Sequence, residues 1–192
     1  MFTYILNMSK YIIVTGSPRV GANSDAIAEF IKESLGTNDV EIWNIYEKDY
    51  TYCHADNACK ELGHCSIDDD ATDLVADLKE ADGAFLISPI YFGRLPGPVY
   101  TIIDRFYGVF NPAKGLDVPS PDKKIGFVLT MGGDEEAVKN AEPVAAQAGF
   151  AFSVVGFGAS DSVILGGNND PTAFANSDEE QAKVKTLVDW ML

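Results

Sequence analysis

Residues 16–27, "GSPRVGANSDAI", join a cation to hydroxyl and amide side chains within a loop of small residues. Ser17, Asn23 and Ser24 offer polar donors, and Arg19 adds a planar fork of N–H groups. Gly16 and Gly21 permit backbone turns that a β-carbon resists. A helix starting where such a loop ends contributes free N–H groups and a partial positive charge. Together these features describe a receptacle for a phosphate group. The spelling excludes other phosphate loops. There is no Gly-Lys-Ser/Thr ending, Gly16 and Gly21 do not fit G-x-G-x-x-G, and no cysteine opens the loop as a phosphatase nucleophile. An ordinary strand-to-helix turn would account for the glycines and caps, but it has no need of an arginine.

A second reactive group is "CHADNACKELGHC", which sets Cys53, Cys59 and Cys65 six residues apart beside His54 and His64. The spacing fits no common zinc pattern. The segment reads as a structural loop near the active site or at a subunit contact, lining an acceptor pocket. "DDDATD" lacks the glycine and distal glutamate of a calcium loop and reads as a helix cap. The neighbours Asp104 and Arg105 read as an ion pair at a helix end.

These residues must be held by regular elements. Residues 11–15 form a β-branched strand, followed by a helix with Ile27, Phe30, Ile31 and Leu35 on one face, stopped by Gly36 and Asn38. Strand 2 is expected at 40–45, and an irregular cysteine-bearing insertion at 47–67. Asp69 or Asp70 caps a helix carrying Ala71, Leu74, Val75 and Leu78. Strand 3, at 84–88, is nearly all apolar, as a strand covered on both faces should be. Val99, Ile102, Ile103 and Phe106 mark the next helix, and a Pro-rich connection leads to strand 4 at 125–130. "MGGDEE" opens a further helix, with Pro143 as a kink or restart. The apolar run 151–157 is expected as strand 5. Ser177 and Glu180 form a capping box for a last helix with Val184, Leu187, Val188 and Met191 inside. Regular β-α alternation predicts an α/β protein: a three-layer flavodoxin-like sandwich with a five-stranded parallel sheet of order 2-1-3-4-5, as a single domain over 1–192. Met8 is an alternative start, which would make residues 1–7 a disordered extension.

The loop "GSPRVGANSDAI", the cysteine segment ending in "DDD", and "ADGAFLISPIYFGRLPGPVYTIIDR" resemble the NADPH-dependent FMN reductase family, and within it the iron–sulfur-flavoprotein-like branch. The paired motifs span residues 12–105. The resemblance implies bound FMN, with NAD(P)H as co-substrate, and reduction of a flavin, quinone or similar acceptor. It assigns Ser17, Arg19, Asn23 and Ser24 to the FMN phosphate. Pro89, Ile90, Tyr91, Phe92 and Gly93 would lie along the ribityl chain and ring, and Thr130, Met131, Gly132 and Gly133 would close the other side. All three loops follow carboxyl ends of central strands, where ligands of such sheets sit. The second has two aromatics for a flat ring, and the third has amides freed by glycine. No catalytic side chain is expected, because the flavin carries the chemistry. The cluster-binding branch resembles C-x2-C-x2-C followed by another cysteine, whereas here Asp56 takes the second position. A cubane wants four thiolates and carboxylate is a harder ligand, so the three cysteines are expected as a cluster remnant without metal.

The chain has 192 residues, 14 Lys+Arg against 29 Asp+Glu, and a formal charge of −15. That balance argues against nucleic acid or an anionic membrane as partner, and one arginine with local dipoles still suits a small anion. No run of apolar residues is long enough to span a bilayer, and no signal peptide is recognisable. Three cysteines suggest a reducing cytoplasm. A homodimer or homotetramer is expected by analogy. The alternative function is a flavodoxin-type electron carrier without its own NAD(P)H turnover. The acidic charge suits it, but the Ser-Pro-Arg loop does not. A receiver-type signalling domain would need acidic residues after strand 1, where Thr15, Gly16 and Ser17 stand.

Overall fold

The computed structural model describes residues 9–36, 38–111 and 118–192. The expected extension at 1–7 and part of the Pro-rich connection lie outside them. Five parallel strands pair in the order β2-β1-β3-β4-β5. They are β1 (Lys10–Thr15), β2 (Asp39–Asn44), β3 (Gly83–Pro89), β4 (Ser120–Thr130) and β5 (Phe157–Leu165). Helices α1 (Asn23–Leu35) and α6 (Asp178–Met191) cover one face. The other face carries α3 (Asp70–Glu80), α4 (Gly97–Arg105) and α5 (Glu135–Ser153). A one-turn helix, α2 (Cys59–Leu62), lies in the cysteine segment.

The strands sort their side chains by alternation. Ile12, Val14, Ala84, Leu86, Phe127 and Leu129 enter the core under α3, α4 and α5, while Ile13, Phe85, Ile87 and Val128 enter the core under α1 and α6. Every residue of β3 is buried, which matches a sequence that is apolar but for Ser88. Lysines close helix ends. Lys123 Nζ donates to the carbonyls of Leu78 and Lys79 at 2.7 Å each, and Lys124 Nζ donates to Trp190 O at 2.6 Å.

Strand 5 is the main departure from expectation. Residues 151–153 belong to the last turn of α5, and β5 runs from Phe157 to Leu165. The run "AFSVVGF" is apolar because Phe152 packs edge-on against Phe106, Phe127 and Phe157, at 5.0, 5.8 and 6.0 Å between ring centroids. A short apolar run cannot be told from a buried helix end by periodicity. The true β5 is an edge strand with polar "ASDS" in its middle, so it lacks a core-strand signature. Pro143 lies inside the uninterrupted α5, without the expected restart.

The register lines up the carboxyl ends of the strands. Thr15 pairs with Ile87, Ile87 with Val128, and Val128 with Val163. The loops after β1, β3, β4 and β5 therefore emerge along one edge.

Candidate functional site

At the end of β1, Gly16 N–H donates to Ile87 O at 2.8 Å. A β-carbon on Gly16 would stand 2.6 Å from Val99 Cγ2, so only glycine lets the chain turn this close to α4. The turn closes at Gly21, with φ +67°, and its N–H donates to the Asp25 carboxylate at 2.5 Å. Ser17 Oγ accepts from Arg19 N–H at 3.3 Å. The N-cap of α1 is Ala22, which has no side chain to bond the first-turn N–H groups. The helix thus presents its positive end to the turn without a cap of its own. Ser17 and Ser24 are buried, while Arg19 is exposed and has no ion-pair partner among the described residues.

The turn forms one wall of a cleft of about 220 Å³. Ser17, Arg19, Asn23, Ser24, Pro89, Ile90, Tyr91, Thr130, Met131 and Gly132 all line it. Polar donors gather at the β1 end, and Pro89, Ile90, Tyr91 and Met131 make an apolar wall. Phe92, Gly93 and Gly133 do not line the cleft. Tyr91 and Arg94 instead bridge back to each other, with N···O distances of 2.9 and 3.2 Å, and this turns Phe92 and Gly93 away. Both carry positive φ, +53° and +72°, and Phe92 is fully exposed.

Two of the expected glycines also stand at close approaches. A β-carbon on Gly132 would meet Asn169 Oδ1 at 2.2 Å, and one on Gly133 would meet Ala137 Cβ at 2.5 Å. Gly133 O accepts Gly167 N–H at 2.9 Å, and Met131 O accepts Asn168 N–H at 2.9 Å. The β4–α5 loop is therefore clasped by the β5–α6 loop. Asn168 and Asn169 of that loop line the cleft, as does Ala22. Sequence reading missed the two asparagines because it ended strand 5 at residue 157. The signal was "GGNND" directly after the true β5. Asn23 works in the same clasp: its amide donates to Asp170 O at 2.8 Å, and its oxygen accepts Phe174 N–H at 3.1 Å. Only half of the Ser177 capping box forms. Ser177 Oγ accepts Glu180 N–H, but the Glu180 carboxylate accepts from Asn168 Nδ2 at 2.8 Å instead of returning to the cap. At the rim, burial pushes the Tyr46 phenol above its ordinary value, and nearby Tyr91 adds to the effect.

The cysteine segment packs elsewhere. Lys60 Nζ donates to the carbonyls of Tyr107, at 2.8 Å, and of Phe110, in the turn that follows α4. Asn111 Nδ2 donates to Lys60 O at 2.9 Å. Asp56, at the position where a cluster-binding pattern has cysteine, accepts from Ala58 N–H at 3.0 Å and from the Ser66 hydroxyl at 2.9 Å. Those two bonds hold its carboxyl below the usual range. Cys53, Cys59 and Cys65 are free and line one small cavity, which shares no lining residue with the cleft. Among the described residues, no group of three or more His, Cys, Asp or Glu is placed to hold a metal ion.

Arg105 is not paired with Asp104, as its sequence neighbour suggested. Its side chain is buried, and it donates to Asp69 at 2.7 and 2.8 Å, Thr51 O at 2.9 Å and Thr72 Oγ1 at 2.7 Å. Asp69 also caps α3 by accepting Thr72 N–H. Burial works against its charge, but Arg105 and the N–H groups of Thr51 and Thr72 outweigh that and hold the carboxyl below its ordinary value.

Fold and cleft together define a flavodoxin-like α/β protein with a cleft at the carboxyl ends of its central strands. The NADPH-dependent FMN reductase family matches residues 9–159, and the chain belongs to that family. An iron–sulfur flavoprotein of Methanocaldococcus jannaschii is 29% identical over 166 residues, covering 85% of this chain and 79% of that one. A second, from Methanosarcina thermophila, is 31% identical over 125 residues, covering 62% of this chain and 61% of its own length. An NAD(P)H:quinone oxidoreductase of Methanothermobacter marburgensis shares the fold, with a TM-score of 0.70 over 94% of this chain and 96% of that one at 17% identity.

Proposed function

We propose that this protein holds FMN in the cleft and uses NAD(P)H to reduce a flavin, quinone or similar small acceptor. One observation carries the reading: an arginine with no ion-pair partner among the described residues, two buried serines and an uncapped helix start meet an apolar wall within one cleft. That division of donor and apolar surface suits a ligand with a phosphate at one end and a flat ring at the other. Family membership supports FMN as the cofactor and NAD(P)H as co-substrate.

Within this reading Arg19 and the first-turn N–H groups of α1 bind the phosphate, with Ser17 and Ser24 donating from below. Asn23 holds the β5–α6 loop in place and leaves at most one amide hydrogen for the ligand. Pro89, Ile90, Tyr91 and Met131 exclude water from one side of the ring. Bound FMN supplies hydride acceptance at a ring nitrogen, so the chain contributes placement and needs no acid or base of its own. The exposed Val20, Tyr91 and Phe92 near the turn and the cleft rim favour a homodimer or homotetramer that covers the site. No described helix is long and apolar enough to cross a membrane. A cytoplasmic location goes with the three free thiols.

The test is to load purified protein with FMN, add NADH or NADPH and a quinone, and follow nucleotide oxidation. Turnover well above free FMN is the expected result. If the nucleotide is not consumed but the loaded protein exchanges electrons rapidly with a one-electron dye, the electron-carrier reading replaces this one. The charge of −15 fits that reading equally well, through docking on basic partners.

A further inference from the structure

We propose that Cys65 is an oxidation site: a hydroperoxide converts its thiol to a sulfenic acid whose oxygen is received by the buried Arg105. The inference is independent of the cleft and of the function proposed for it.

Three observations meet at this position. The first is the cavity bounded by Cys53, Cys59, Cys65 and Arg105, of about 10 Å³. That is close to the smallest space that holds one water-sized group, so there is room for a single oxygen atom and little more. The second is an unmet donor. Arg105 is 1% exposed, and its two terminal nitrogens are committed to Asp69, Thr51 O, Ile67 O and Thr72 Oγ1. Its Nε–H is buried, with no hydrogen-bond partner among the described residues. A buried donor left unmade costs free energy that an added acceptor would recover. The third is adjacency: Cys65 and Arg105 lie together on the walls of two neighbouring cavities. Sulfur is a weak acceptor, whereas an oxygen bonded to it is a strong one. Cys65 is also half-buried, so a solute the size of a peroxide can reach it.

The step balances. The Cys65 sulfur attacks one peroxide oxygen, an S–O bond forms as the O–O bond breaks, and the thiol proton leaves with the second oxygen as water or an alcohol. Sulfur loses two electrons and the peroxide gains them. A thiol on the same cavity wall, Cys53 or Cys59, then displaces the hydroxyl. An S–S bond forms, the S–O bond breaks, and water leaves.

Cys53 provides an internal control, because it is likewise half-buried and lines the same cavity. The purified protein, without NAD(P)H, is exposed to hydrogen peroxide with a sulfenic-acid trap and mapped by peptide mass. The wild type should yield a disulfide that includes Cys65. A Cys53→Ser/Cys59→Ser variant should carry the trap on Cys65. In single-cysteine variants Cys65 should react about tenfold faster than Cys53, and prior urea unfolding should abolish that difference. The proposal fails if Cys65 stays a free thiol while Cys53 or Cys59 oxidises. It fails equally if no cysteine reacts, or if the two rates match in the folded protein.

Discussion

Arg19 and Arg105 are the same residue type in opposite conditions. Arg19 is exposed on the β1–α1 turn, with no ion-pair partner among the described residues, beside a helix start that lacks a side-chain cap. Arg105 is buried at the far end of α4, bound through both terminal nitrogens to Asp69 and ringed by Thr51, Ile67 and Thr72. Donors satisfied within the chain stabilise the fold, whereas donors left open at a cleft are available to a ligand. The contrast assigns stability to the α3–α4 junction, and the proposed function assigns binding to the β1–α1 turn.

The largest expected effect comes from breaking the buried pair. Asp69→Asn keeps a capping side chain for α3 but leaves Arg105 without its counter-charge, and should cost about 3–5 kcal/mol in urea unfolding. The same pair should titrate. The Asp69 carboxyl is depressed in the fold, so its contribution is complete above the unfolded carboxylate value near about 3.9 and is lost as pH falls below that. An acid unfolding profile should therefore flatten in Asp69→Asn relative to wild type. Next in size, Arg19→Ala should weaken FMN binding by about 10- to 100-fold, the worth of a hydrogen bond to a charged group at about 1.5–3 kcal/mol, and leave the melting temperature unchanged. If Arg19→Ala also destabilises the fold as much as Asp69→Asn does, the division between the two regions is wrong. Smallest, Ser177→Ala should remove about 1 kcal/mol through the α6 cap, measured by thermal unfolding. Because Glu180 is committed to Asn168, the loss should stay at that of a single cap bond.

Much of this arrangement was legible in the residues. The stripe of Ile27, Ile31 and Leu35, the nearly all-apolar β3 and the Asp69 cap state local rules that the fold obeys. The strand order followed from alternation, and the turn carrying Arg19 was visible because its residue types suit an anion better than a plain turn. What stayed hidden depended on distant partners. Arg105 stands next to Asp104 in sequence, yet its partner lies 36 residues away, because α3 and α4 pack side by side. The polar edge strand β5 concealed the loop carrying Asn168 and Asn169, since an edge position relaxes the demand for apolar residues. The approach of the Asn169 side chain to Gly132 is likewise set by a distant loop, which no local rule predicts.

The central claim is that Arg19 grips the phosphate of a flavin mononucleotide. Affinities for FMN and for riboflavin, which has the same ring and no phosphate, measured in wild type and in Arg19→Ala, test it most directly. The account predicts that wild type strongly prefers FMN and that the variant loses about 10- to 100-fold of that preference while riboflavin affinity holds. An undiminished preference for FMN in Arg19→Ala would contradict it.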